Sequence, residues 1–175
     1  MSTLYYTQID DSPVGPLLLA GDHDALHVLA FGALPAGGRQ RQHVSRPREI
    51  NASWQPDVKG VLRPIRKELD QYFAGRLKKF STPVAFNGTQ FQTTVWQELR
   101  RIPYGETISY LDLAKRIKNP AAVRAVGMAN GANPIAIIVP CHRVIGSNGS
   151  LTGFGGGLPT KRALLELEKG QRTLL

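Results

Sequence analysis

The chain contains 175 residues, 42% of them hydrophobic, which is enough for a packed core and excludes a disordered chain. Lys and Arg total 22 against 13 Asp and Glu, and this net charge of +9 favours a polyanionic partner, whether DNA, RNA or a lipid surface. The longest apolar run, residues 135–139, is far shorter than the ~20 residues of a membrane span, and the acidic N-terminal segment is unlike a signal peptide.

The first half of the chain has the pattern of a small sheet with one helix. Residues 32–60 are rich in Gly, Pro and Arg, and we expect a long surface loop there. Apolar residues at helical spacing over 61–73 predict a helix that ends at Gly75. Residues 81–88 are the expected linker to the second half. Three short apolar runs have the composition of strands: residues 4–9, 17–20 and 26–31.

The second half has the pattern of a helical unit. Ser109 and Asp112 form a capping-box pattern at the start of a short helix. Asn119 and Pro120 end that helix, and the two short helices around this break predict a helix-turn-helix. The other predicted elements are a helix over 90–101, a small-residue helix over 121–132, an apolar strand over 135–139, a glycine-rich loop over 146–157 and a closing helix over 159–169.

These patterns predict two domains. An α/β domain with a small mixed sheet and a helix covers residues 1–84, and a mainly helical domain covers residues 85–175. Basic and acidic side chains number 11 and 8 in residues 1–86 but 11 and 5 in residues 87–175. We therefore expect any nucleic acid to contact the second domain.

Cys141, the only cysteine, is the strongest candidate for chemistry. A lone thiol excludes an internal disulfide and a cysteine-rich zinc site, and it fits a reducing cytoplasm. A nucleophilic thiolate needs a base or a positive charge nearby, and His142 is adjacent. In an extended chain, however, neighbouring side chains point to opposite faces, so a direct pair needs a backbone turn or a bridging water. A buried inert cysteine fits the spacing equally well, but polar residues directly after an apolar strand favour function.

Residues 133–157, which contain the sequence Pro140, Cys141, His142 and Arg143, resemble the active-site region of the O6-alkylguanine-DNA alkyltransferases. The resemblance extends from about Phe91 to Glu168. It implies a ribonuclease H-like N-terminal domain and a winged-helix-like C-terminal domain. It also implies DNA repair by direct reversal, in which one alkyl group passes irreversibly from O6 of guanine, or from O4 of thymine, to the protein.

The resemblance assigns the reacting groups residue by residue. Cys141 would accept the alkyl group as a thioether, activated by His142 through a bridging water, with Glu168 orienting the imidazole. Tyr110 would help the departing base to carry negative charge. Without the resemblance, Glu168 would be a solvent-facing helix residue and Tyr110 an ordinary half-buried tyrosine.

DNA binding is assigned in the same way. Arg124 would enter the base stack from the minor groove and fill the space left by the flipped guanine. Ala121 and Ala122 are small enough to let the helix backbone approach the groove, and Asn133 would tie this helix to the active-site strand. Without the resemblance, Arg124 would be a solvated surface residue.

The base pocket is also implied by the resemblance. The carbonyls of Cys141 and Val144 would accept hydrogen bonds from the guanine amino group, and the backbone N–H of Gly155 would face O6. Phe154 stands where the family often has tyrosine, so an aromatic wall remains without its hydroxyl.

The expected partner is therefore double-stranded DNA with O6-alkylguanine, bound by a cytoplasmic monomer that needs no cofactor, structural metal or membrane. Two alternatives remain open at this stage. A non-catalytic alkyltransferase-like damage binder would lack the reactive cysteine, which this chain has at position 141. A transcription regulator would use the helix-turn-helix alone and keep the thiol inert.

Overall fold

The computed structural model describes residues 3–32, 54–171 and 174. Its N-terminal part contains a four-stranded mixed sheet in the order β3-β2-β1-β4. The first three strands are antiparallel, with Ile9 opposite Leu17, and the fourth runs parallel to the first. The strands are β1 (Tyr5–Ile9), β2 (Leu17–Gly21), β3 (Leu26–Phe31) and β4 (Gln55–Pro56).

Side chains of β2 and β3 alternate between the two faces of the sheet, and they are buried on both faces. Leu19 and Leu29 belong to the main core, whereas Ala20 and Val28 pack on the other face with Trp54. Successive side chains of a strand point to opposite faces, which explains the division. The three predicted strands are confirmed.

Helix α1 (Arg63–Phe73) lies on the core face of the sheet and buries Leu69 and Tyr72 completely. The Asp57 carboxylate accepts from the backbone N–H groups of Val61 and Leu62 just before the helix. The predicted helix is confirmed. The predicted loop over 32–60 is wrong at its end because β4 pairs with β1 there, and its residues 33–53 lie outside the described part of the chain.

The expected linker, residues 81–88, is an ordered strip along β3. Leu26 donates its N–H to the Pro83 carbonyl, and its own carbonyl accepts from Ala85. At the other edge, the Glu68 carboxylate accepts from the N–H and hydroxyl groups of Ser81 and Thr82. The segment between the two halves therefore also packs against the first half.

The C-terminal part is helical, as predicted. The capping box of Ser109 and Asp112 is present, and a second one joins Thr89 to Gln92. The predicted 121–132 helix begins with a short 3-10 turn at Pro120–Ala122. The helices are α2 (Gln90–Leu99), α3 (Tyr110–Arg116), α4 (Val123–Gly131) and α5 (Leu158–Glu168), and the parallel pair β5 (Ile108–Ser109) and β6 (Val144–Ile145) joins α3 to the active-site segment.

Residues 135–139 do not form the predicted strand. Only Ile135 makes a bridge, to Leu29 of β3, and the next residues close tight turns with local hydrogen bonds. Ile137 has φ +69°, a conformation that a β-branched side chain rarely adopts. The run is apolar because it is buried in the core, and a short apolar run does not by itself distinguish a strand from a buried turn.

One core connects both parts of the molecule. Leu29 and Tyr72 of the N-terminal part belong to the same cluster as Leu99, Leu113 and Leu164 of the C-terminal part. The predicted fold class, a small mixed sheet with a helix followed by a helical region with a helix-turn-helix, is confirmed. Among the described residues, no helix is long and apolar enough to cross a membrane.

Candidate active site

Cys141 lies in a turn rather than in a strand. Residues Cys141–Arg143 form one turn of 3-10 helix, in which Arg143 donates its N–H to the Pro140 carbonyl. Neighbouring side chains in such a turn are not forced to opposite faces, so the objection that holds for an extended chain does not apply here. Cys141 is 6% exposed and His142 fully buried.

Glu168, the last residue of α5, is the centre of a buried polar network. Its Oε1 lies 2.7 Å from Nε2 of His142, and Arg143 donates to both carboxylate oxygens at 2.8 and 2.9 Å. Tyr72 of α1 donates its hydroxyl to the same Oε1 at 2.7 Å. The Gly105 N–H reaches Oε2 at 3.2 Å, and φ +82° at this glycine allows the turn to pass close to Glu168. The solvent-facing alternative for Glu168 is therefore excluded.

This network fixes the protonation of His142. Burial opposes ionisation of Glu168, but hydrogen bonds from His142 and Arg143 outweigh it and hold the pKa of the carboxyl well below its usual range. An ionised carboxylate only accepts, so Nε2 of His142 carries the proton and Nδ1 keeps a free lone pair. Burial lowers the pKa of His142 despite Glu168, so the imidazole is neutral at pH 7. Nδ1 has no hydrogen-bond partner among the described residues.

The thiol of Cys141 is protonated at rest because burial raises its pKa. The positive charge of Lys161 opposes this shift. Lys161, in the second turn of α5, is fully buried, and its ammonium donates to the carbonyls of Val144 at 2.6 Å and Thr152 at 3.1 Å. Burial in turn lowers the pKa of Lys161. The site thus contains a neutral thiol, a neutral base and a buried cation.

The predicted pocket residues lie around this centre. Tyr110, the first residue of α3, donates its hydroxyl to the Thr152 carbonyl at 3.3 Å, and burial raises its pKa. Lys161 lies 5.9 Å from the centre of the Tyr110 ring and 6.0 Å from that of Phe154. The Phe154 ring also packs edge-on against Phe31 of β3. Gly155 follows in a turn that is closed by the Gly157 N–H on the Phe154 carbonyl.

Two asparagines connect α4 and its C-terminal end to the active-site segment. Asn133 donates to the Val139 carbonyl at 2.8 Å and accepts from the Ile135 N–H at 3.0 Å. Asn130, one turn earlier, donates from Nδ2 to the Cys141 carbonyl at 3.4 Å. The helix and the nucleophile are therefore held together by side-chain amides.

The residues predicted to contact DNA lie on the outer face of the helix-turn-helix. Arg124 is exposed near the start of α4 and forms no ion pair within the described residues. Ala121 is exposed and Ala122 half-buried in the 3-10 turn before it. Met128, one turn beyond Arg124, is 74% exposed. This surface thus combines small residues with the exposed cation of Arg124.

Sequence reasoning missed Tyr72, Arg143, Lys161 and Asn130 as parts of the site. Arg143 was present in the quoted motif, but only the fold shows that it shares Glu168 with His142. Helix periodicity gives no indication that Lys161 or Asn130 belongs to a site. Their contacts form only when α4 and α5 pack around Cys141. Tyr72 comes from the other half of the chain.

Two family models match the chain. Residues 4–86 match the ribonuclease-like domain of 6-O-methylguanine DNA methyltransferase, and residues 90–170 match the DNA-binding domain of the same family. Together they account for most of the sequence, including every residue of the site described above.

Similar proteins agree with this result. The methylated-DNA–protein-cysteine methyltransferase of Methanosarcina acetivorans is 48% identical, over 94% of this chain and 98% of that protein, and the one from Mycobacterium tuberculosis is 49% identical, over 96% and 94%. The crystal structure of Mycobacterium tuberculosis OGT in complex with DNA superposes with a TM-score of 0.80 at 48% identity and covers 97% of this chain and 98% of that one. The chain therefore belongs to the methylated-DNA–protein-cysteine methyltransferase family.

Proposed function

We propose that this protein repairs double-stranded DNA by transferring an alkyl group from O6 of guanine to Sγ of Cys141, once per molecule. The observation that carries the proposal is the buried hydrogen bond between Glu168 and Nε2 of His142, which leaves Nδ1 of this neutral imidazole unpaired on the residue that follows Cys141. The family membership and the relative solved with DNA support the same substrate. The smaller O4-alkylthymine carries the same kind of alkyl oxygen and is proposed as a second substrate.

In the proposed reaction, the thiol proton passes to Nδ1 of His142 through a bridging water as Sγ attacks the alkyl carbon. Glu168, ionised and hydrogen-bonded to Nε2, stabilises the imidazolium. The buried ammonium of Lys161 favours the thiolate. These groups compensate for the burial that otherwise keeps the thiol protonated.

The carbon–O6 bond breaks as the sulfur–carbon bond forms, and the base leaves as guanine. Tyr110 donates a hydrogen bond to the departing ring, and the proton that guanine gains equals the one that the thiol lost, so no co-reactant is needed. A thioether is not hydrolysed under physiological conditions, which makes the transfer irreversible. A thiol that must remain reduced also fits a cytoplasmic location.

DNA binding is proposed for the outer face of the helix-turn-helix. The reactive guanine lies inside the duplex and must be flipped out at a cost of a few kcal/mol. Arg124 would occupy the gap, with Ala121 and Ala122 allowing close approach, and Asn133 would keep α4 in register with Cys141. The flipped base would lie against Phe154, Gly155 and the Val144 carbonyl.

We place the boundary between the DNA-binding domain and the N-terminal domain at residues 84 and 85.

The test is incubation with a duplex that contains one O6-methylguanine, followed by intact mass measurement and peptide mapping. We expect one added methyl group, located on Cys141, and none in Cys141→Ala, which should still bind the duplex. Binding without a methyl adduct in the unaltered protein would contradict the proposal and favour a damage binder.

A further inference from the structure

A basic groove lies where the end of α2 meets the segment that follows α1. Two short basic runs, residues 76–79 and 100–101, are separated by some twenty positions in the chain. The fold brings members of both runs to one cavity of about 210 Å³, which we call the basic groove. Its charged lining residues are Lys78, Lys79, Arg100 and Arg101, and its apolar ones include Phe80, Ile137, Ile138 and Pro140.

The cations of the basic groove are largely uncompensated. Lys78, Lys79 and Arg100 are exposed, and none of them forms an ion pair with another described residue. Arg101 pairs with Glu98 at 3.0 Å, but the Glu98 carboxylate also lies 3.8 Å from a third arginine of α3. No Asp or Glu is among the described residues that line the groove. Cations gathered in a cleft without counter-ions attract an anionic ligand.

The basic groove is separate from the site proposed for the flipped base. Its lining contains none of the residues assigned above to binding the duplex on α4 or to the alkyl transfer itself. Arg143 of the Glu168 network does reach the groove, but its guanidinium already donates to Glu168 and to the Ile102 carbonyl. The proposed repair reaction therefore gives the four free or half-paired cations no task.

The groove has the chemistry of a phosphate site rather than that of a site for bases. Guanidinium groups bind phosphate oxygens through two parallel N–H donors, and ammonium groups bind them as point charges. Both aromatic rings at the groove are already engaged. Phe80 packs on the Tyr72 ring, and Tyr104 has Lys78 at 5.9 Å and Arg143 at 5.8 Å from its ring centre. Base stacking is therefore not expected, and contacts to phosphates carry no sequence preference.

On the basis of the proposed function, we infer that the basic groove binds the phosphate backbone of a second DNA segment while α4 holds the duplex under repair. Duplex DNA carries one negative charge per about 1.7 Å of its length. An acidic peptide carries at most one per about 3.4 Å of extended chain, so it matches the clustered cations less well. A protein already bound to DNA also meets further segments of the same polyanion at high effective concentration. The protein then bridges two DNA segments.

The test loads Cys141→Ala onto an immobilised duplex that contains one O6-methylguanine and accommodates a single protein molecule. A fluorescent unmodified duplex is then added, and its capture is measured between 50 and 200 mM salt. We expect capture that weakens as the salt concentration rises, and a loss of roughly tenfold or more when Lys78→Glu and Arg100→Glu are added together. With Cys141 intact, the same pair of substitutions should leave the rate of methyl transfer from saturating duplex unchanged.

Lys59→Glu with Lys67→Glu is the matched control, because it changes the net charge equally at exposed positions outside the groove. This control should retain capture, and thermal melting shows whether each variant folds. Unchanged capture in the groove variant, an equal loss in the control, or a matching loss of methyl transfer would overturn the inference. Stronger displacement of the fluorescent duplex by poly-glutamate than by unlabelled duplex would also overturn it and assign the groove to an acidic protein segment. Failure of the Cys141→Ala protein to load onto the first duplex would instead overturn the proposed function.

Discussion

Glu168 illustrates how a single residue acquires its chemistry from three others. The carboxylate has no solvent exposure, yet it stays ionised because Arg143, His142 and Tyr72 all donate to it. A buried ion pair of this kind contributes little net stability by its presence, but removing one partner leaves an uncompensated buried charge. The Glu168 carboxylate therefore neutralises the buried charge of Arg143, which is a structural role, and orients His142, which is a role in the chemistry.

Glu168→Gln separates these two effects. The amide leaves the Arg143 charge without its counter-ion, and we expect unfolding to become easier by about 3 kcal/mol. Methyl transfer should slow by about 100-fold, because the imidazolium loses its stabilising charge. Chemical denaturation measures the first effect and single-turnover mass measurement the second. A variant that unfolds earlier but transfers at the original rate would show that Glu168 is structural only.

The lowered pKa of His142 predicts the pH dependence of transfer. Because the folded protein holds the imidazole neutral below its ordinary pKa of 6.5, the base is still available at that pH. We expect more than half of the transfer rate at pH 8 to remain at pH 6.5, with the larger fall in more acidic solution. A rate that is already halved at pH 6.5 would contradict this assignment of the base.

The free energy of unfolding should depend on pH through His142 and Glu168. The unfolded chain binds a proton on His142 below about pH 6.5 and on Glu168 below about 4.5, whereas the folded protein resists both. The unfolded state therefore binds more protons, so the free energy of unfolding decreases as the pH falls through these values. Denaturation midpoints between pH 8 and 4 would measure the loss. A midpoint that rises toward pH 5 would contradict it.

Among the elements, those with a local signal were predictable from the sequence. The capping box of Ser109 and Asp112 and the apolar spacing of α1 depend on residues a few positions apart. Residues 135–139 were misassigned, and the bridge between Val84 and Leu26 was not predicted, because both features depend on β3, more than fifty residues away. For the same reason, the motif indicated Cys141 and His142, but Lys161 and Asn130 emerged only from the packing of α4 and α5.

Helix α4 connects DNA binding to chemistry, and Arg124 tests this connection. Arg124→Ala should slow methyl transfer from duplex DNA by roughly tenfold, because the gap left by the flipped base is no longer filled. Transfer from the free base O6-benzylguanine should be unchanged, since no stack has to open. Arg76→Ala removes an equal charge after α1 and serves as the control. Equal losses on both substrates would refute the wedge assignment.

On the scale of the whole molecule, the N-terminal part packs against the C-terminal core and contacts the site through side chains of β3 and α1. β3 and the 81–88 strip pack against the C-terminal core, and Phe31 of β3 meets Phe154 at the pocket. Tyr72 makes the polar connection, reaching Glu168 across 96 positions of sequence. Two halves that share a core and a hydrogen bond at the reacting centre function as one unit, even though the family models divide the chain between them.

Tyr72→Phe isolates the polar part of this coupling. The substitution keeps the buried ring and removes only the hydroxyl that donates to Oε1 of Glu168, and we expect a loss of about 1 kcal/mol in the free energy of unfolding. With one donor fewer, Glu168 orients His142 less firmly, so methyl transfer should slow several-fold. Tyr104→Phe is the matched control, because the Tyr104 ring lies over Arg143 but its hydroxyl is not among the donors to Glu168. If both variants slow transfer equally, the effect comes from packing around Arg143 and the hydroxyl of Tyr72 has no part in the chemistry.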